Sequence, residues 1–154
     1  MALSVIMVLY GGIGLLAAAG SVFISKKLFP AKGQQIFFGL FLFWIAGVYL
    51  AFTSYFGNGE AWRFETGGVI AFAILGLVGV RVPVVLIVGY ALHGFWDVLH
   101  EIHAHAGGGL FGFQQVTEIP LAYGVFCLAY DWAVAVYFFT LRGRWRSAWE
   151  ERDG

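Results

Sequence analysis

The stretch that decides the fold runs from Pro83 to His103 and reads PVVLIVGYALHGFWDVLHEIH. Its length suits a helix crossing about 30 Å of hydrocarbon, which takes roughly 20 residues. The first half, Pro83–Leu92, carries only apolar and small residues apart from Tyr90, whereas the second half holds His93, Asp97, His100, Glu101 and His103. At about 100° per residue, His93, Asp97 and His100 fall within about 60° of one another, with His103 about 60° further round. Ionisable groups inside a membrane span are costly unless they face protein and find partners there. The stretch therefore predicts a bundle of several helices whose interior receives this face.

Four further apolar runs agree with that reading. With the fourth, they give an all-α polytopic membrane helix bundle of five transmembrane helices, about Leu3–Ile24, Gln34–Phe56, Trp62–Val80, Pro83–His103 and Glu118–Leu141. The bundle forms a single transmembrane domain over residues 1–154. Lys26, Lys27, Pro30 and Lys32 break the first run, Gly57–Glu60 the second, Arg81 and Pro83 the third, and Gly107–Gly109 the fourth. Proline suits the first position of a helix, where its missing N–H costs little. Met1–Tyr10 has no basic residue, so the first run reads as a span rather than a cleaved signal peptide.

Composition points the same way. Only 12 % of the chain is charged and 60 % is hydrophobic, with a mean hydropathy of +0.81. Soluble domains carry about 25 % charged residues, which cover a water-facing surface that this chain could not cover. The sixteen Phe, seven Tyr and six Trp suit lipid-facing and interfacial positions, and Trp44, Trp96, Trp132 and Trp145 read as packing or belt residues. Formal net charge is zero, which gives no global field for nucleic acid. A lone cysteine, Cys127, builds no disulfide framework. Gly11, Gly12, Gly14, Ala18, Gly67, Gly68, Gly76 and Gly79 are candidates for close helix approach.

Basic residues set the expected orientation. Lys26, Lys27 and Lys32 lie between the first two runs, Arg81 between the third and fourth, and Arg142, Arg144, Arg146 and Arg152 in the tail. With five alternating spans these regions share one side, while Arg63 opposite them is offset by Glu60 and Glu65. The positive-inside rule then places the N-terminus outside and the C-terminus in the cytoplasm.

All four histidines lie between Ala91 and His105, at the end of the fourth run and just beyond it. Asp131 lies about as far from the outer end of the fifth run as His93 does from that of the fourth, so the two can meet inside the bundle. Glu118 begins the fifth run near the level of His100 and His103, and Gln114 and Gln115 come from the same side. Histidines at helical spacing with a carboxylate are what zinc or another divalent ion needs. The candidate ligands are His93, His100, His103 and Glu118, with Asp97 and Asp131 as ligand or general base. Glu101 and His105 read as solvated residues at the helix end, and Arg63 with Glu60 or Glu65 as a surface ion pair. Against the metal site stands a structural hydrogen-bond network joining two helices, each contact worth about 0.6–2 kcal/mol. Glu118 has its own structural reading, at the positive end of the fifth helix.

The pattern His93-x-x-Trp96-Asp97-x-x-His100 resembles a motif of an uncharacterised family of small bacterial integral membrane proteins. The resemblance implies a multi-pass protein of the bacterial inner membrane and brings no activity with it. In its chemistry, though not in its number of spans or order of motifs, the chain is loosely similar to membrane hydrolases of the alkaline ceramidase type, which bind zinc through His and Asp.

Three functions fit these residues. A metal-dependent membrane hydrolase would use a zinc-bound water on a lipid-like substrate. An accessory subunit of a membrane complex would bind haem or a pigment at His93, as part of a homo-oligomer or larger assembly. A proton or metal-ion transporter would use His93, Asp97 and Asp131 as stepping stones, although no inverted repeat is visible.

Overall fold

The structure is a computed structural model and describes residues 1–105 and 116–150. Gly107–Gly109, Gln114, Gln115 and Arg152 lie outside the described residues. Six helices and no strand occur among the described residues: α1 Ala2–Leu28, α2 Ala31–Phe56, α3 Trp62–Gly79, α4 Pro83–His105, α5 Tyr123–Thr140 and α6 Arg142–Glu150. The first five are long and apolar enough to cross a membrane.

Local chemistry places the breaks. Phe29 precedes a proline, which disfavours helical backbone, and it is extended at φ −130°, ψ 140° between α1 and α2. Gly57 ends α2 in the left-handed region at φ 70°, which glycine enters without steric cost. The fifth helix starts at Tyr123, later than the expected Glu118. Pro120 accounts for the difference, because it disfavours helix at Ile119 and its carbonyl accepts the Tyr123 N–H in a turn. The basic tail folds into α6, which the hydropathy pattern did not announce.

Helix α4 sits in the middle of the bundle, flanked by α3 and α5; α1 packs on α5, and α2 on α3. Aromatic side chains of α2 and α5 close the interior, with Phe38 against Phe138 at 5.3 Å and Phe41 against Tyr130 at 5.9 Å between ring centroids. The outer face of α1 is exposed and apolar: Val8 is 75 % exposed and Leu16 74 %. At the opposite extreme, Trp145 on α6 is fully buried beneath Phe138 and Tyr137.

Small residues allow close contact between helices α2 and α3. A Cβ on Gly39 would lie 2.7 Å from the Gly76 carbonyl oxygen, and one on Gly76 would overlap the Gly39 oxygen. Both obstacles are backbone, so α2 and α3 must part to admit a methyl group. Gly76→Ala is expected to lower stability by about 1–3 kcal/mol. Gly12→Ala, where a Cβ meets nothing within 4 Å, is the control and should leave thermal unfolding in detergent unchanged or slightly raised.

Candidate functional site

Each buried helix face continues into polar residues at the end of the bundle away from the basic turns. On α2 the buried series Phe38, Leu42, Ala46 leads to Tyr49 and Thr53; on α3 Gly76, Phe72 and Val69 lead back to Glu65. On α4 Leu86 and Tyr90 lead to His93, Asp97 and His100, and α5 contributes Asp131 between Cys127 and Val134. Spacings of three and four residues keep each series on one stripe. The polar groups are thus delivered to the protein interior by the same periodicity that builds the apolar core.

Two connected clusters result. In the first, His93 Nδ1 lies 2.7 Å from Asp131 Oδ2 and 3.2 Å from Asp97 Oδ2, and the Tyr49 hydroxyl donates to Asp97 Oδ1. All four residues are 0–1 % exposed. His93 Nε2 and Asp131 Oδ1 have no hydrogen-bond partner among the described residues, nor does Asp97 Oδ2. Two carboxylates and a neutral imidazole sum to two negative charges. A dry interior tolerates that set when it holds two protons, or one divalent cation in their place.

In the second cluster, His100 Nδ1 donates to the Trp96 carbonyl at 2.9 Å. Its Nε2 lies 2.9 Å from Glu65 Oε1, which also accepts the Thr117 N–H at 2.9 Å. The Tyr49 ring joins the clusters, tilted against the His100 ring with centroids 4.2 Å apart. Beyond them, Glu101 Oε1 accepts the Ala122 N–H at 3.1 Å and Oε2 the Gly124 N–H at 2.8 Å. Its carboxylate therefore caps α5, where unpaired N–H groups and the helix dipole favour a negative charge.

Among the described residues, His93, Asp97 and Asp131 form a group that could hold an ion, with one ligand atom from each all within 4.8 Å of one another. The other expected ligands lie apart from it. His100 has both ring nitrogens engaged, His103 is half-buried at the end of α4, and Glu118 is exposed on the segment before α5. Two expectations about solvated acids are corrected. Glu65 is 1 % exposed and bound to His100, while Arg63 points outward; Glu101 is 6 % exposed and caps α5. His105, exposed at the end of α4, donates from Nδ1 to the Glu101 carbonyl. Tyr49 went unread as a site residue, although it continues the stripe of Leu42 and Ala46.

No match was found among curated proteins or solved structures. Residues 12–144 match a family of unknown function, DUF6010, and the chain belongs to that family.

Proposed function

We propose that the protein is a metal-dependent membrane enzyme in which His93, Asp97 and Asp131 hold one divalent cation, with zinc the ion best suited to the donors. One observation carries the reading: three ligand atoms from two helices converge within 4.8 Å in a fully buried pocket of charge. Three protein ligands leave a tetrahedral ion its fourth position, the arrangement that turns a bound water into a nucleophile at neutral pH. The two carboxylates bring more oxygens than a three-ligand site uses, so a spare oxygen of Asp97 or Asp131 stands as general base. Tyr49, donating to Asp97, orients that carboxylate. The membrane setting suits hydrolysis of an ester or amide in a lipid-like substrate.

The basic turns support an N-terminus outside and a C-terminus in the cytoplasm. Lys32 and Arg81 both stack over Trp149 of α6, so basic residues from two turns and the tail gather at one end. The metal cluster then belongs to the outer half of the bundle.

A second reading, a proton or cation carrier, is favoured by the sealing of the cluster from water and its link through Tyr49 to His100 and Glu65. Metal content and release of fatty acid from a short-chain glycerolipid ester and a fatty amide in mixed micelles separate the two. The enzyme reading expects about one ion per chain and cleavage that stops on chelation. Bound metal without cleavage, together with ion flux into liposomes, selects the carrier. Protein that neither carries nor takes up metal excludes the proposed site.

A further inference from the structure

The basic end of the bundle holds a feature unconnected with the His93 cluster. Where the α3–α4 turn, the end of α5 and α6 meet, a cavity of about 670 Å³ opens, and Arg81, Arg142 and Arg146 line it. Glu150 and Thr140 also border it, so the lining charge remains net positive. The remaining walls include Val82, Pro83 and Val84. A second hollow of about 270 Å³ lies along the α4–α5 seam, between Ile87 and Ala91 on one helix and Trp132, Val136 and Phe139 on the other.

The two hollows are consecutive. Val84 and Ile87 are one helical turn apart on α4, and Phe139 and Thr140 are adjacent on α5. Arg142 bridges them, with its guanidinium 4.5 Å from the Phe139 ring centroid and Nη1 donating to the Phe139 carbonyl at 3.0 Å. A cationic hollow at the basic end of the bundle thus lies next to an open apolar groove along the α4–α5 seam. That sequence of chemistries matches one molecule, an anionic headgroup followed by an acyl chain.

We infer that the α4–α5 seam binds an anionic phospholipid, its phosphate against Arg81, Arg142 and Arg146 and one acyl chain along Ile87, Ala91 and Val136. Charge complementarity selects the headgroup, since guanidinium groups bind phosphate oxygens in pairs. Helix α6 fits the same role. It lies at the basic end of the bundle with Trp145 buried and Trp149 donating to Gln35 Oε1 at 3.0 Å, while its arginines remain at the surface. Basic residues at this level attract anionic lipid, and each arginine contributes roughly fivefold in affinity.

Native mass spectrometry of the full chain, exchanged from detergent into defined lipid, tests this. The wild type is expected to retain phosphatidylglycerol in preference to phosphatidylcholine. Arg81→Gln with Arg146→Gln should weaken phosphatidylglycerol by about 25-fold, roughly fivefold for each arginine, and leave phosphatidylcholine unchanged. Ala91→Trp fills the apolar groove with the arginines intact and should also displace the lipid. Thermal unfolding in detergent identifies a variant that has lost its fold, and the other variant then carries the test. Equal retention of both lipids by the wild type would overturn the proposal. So would full retention by a folded variant, or binding of soluble glycerol 3-phosphate as tight as that of phosphatidylglycerol.

Discussion

Changing His93 to alanine is expected to bring bound zinc from about one ion per chain to background, with any hydrolytic activity lost alongside. The imidazole is the nitrogen donor of the group and the residue that touches both carboxylates, at 2.7 Å and 3.2 Å. Without it two acids face each other in a dry interior, which favours protons over a loosely held ion. The aspartates should differ. Asp131→Asn removes a charged ligand that pairs with His93 and that no tyrosine hydroxyl holds, whereas in Asp97→Asn Tyr49 still holds the side chain in place. Loss of metal should therefore be deeper for Asp131→Asn. Because one ion replaces about two protons, zinc affinity measured by competition with a chelator should fall steeply as pH is lowered, by up to about 100-fold per pH unit. A variant lacking His93 that keeps its metal would remove the site. An affinity independent of pH from about 6 to about 8 would remove the charge-exchange argument.

The sequence made some of this site legible and left other parts hidden, for reasons that lie in particular residues. His93 and Asp97 were readable because they interrupt a membrane-length apolar run, and Asp131 because its depth matches that of His93. Asp131 is indeed the nearest acid to His93. Glu65 and Glu101 were misread because they stand near the ends of apolar runs, where an acid ordinarily reaches water. What decides their burial is the path of residues 116–124, which brings the Thr117, Ala122 and Gly124 N–H groups to them. No local pattern in α3 or α4 encodes that path. Tyr49 was hidden differently: in an aromatic-rich span a tyrosine on the core stripe looks like any other packing residue until its hydroxyl meets Asp97. Glu118 shows the converse. A helix drawn through Pro120 would place it at a helix start beside the histidines, but the proline leaves it exposed on the connecting segment.

Glu65→Ala should be among the most destabilising single changes outside the His93 cluster, at about 3–5 kcal/mol. Its Oε1 is the shared partner of His100 Nε2 and the Thr117 N–H, both in the interior. Truncation leaves a buried donor and a buried ring nitrogen unsatisfied at once, and it frees the segment that leads into α5. Glu65→Gln keeps the shape and an acceptor for Thr117, so about half that loss is expected. The pair is not irreplaceable as a source of stability, because apolar residues of similar size often match a buried polar pair. The double change Glu65→Met with His100→Leu should therefore recover about 1–2 kcal/mol relative to Glu65→Ala. Thermal and denaturant unfolding in detergent measure all three variants. If the double variant regains stability and still binds zinc at His93, Glu65 and His100 act as the clamp between α3, α4 and the segment before α5, separate from the metal. If it regains stability but loses zinc, the second cluster supports the first through Tyr49, whose ring rests on His100 while its hydroxyl holds Asp97.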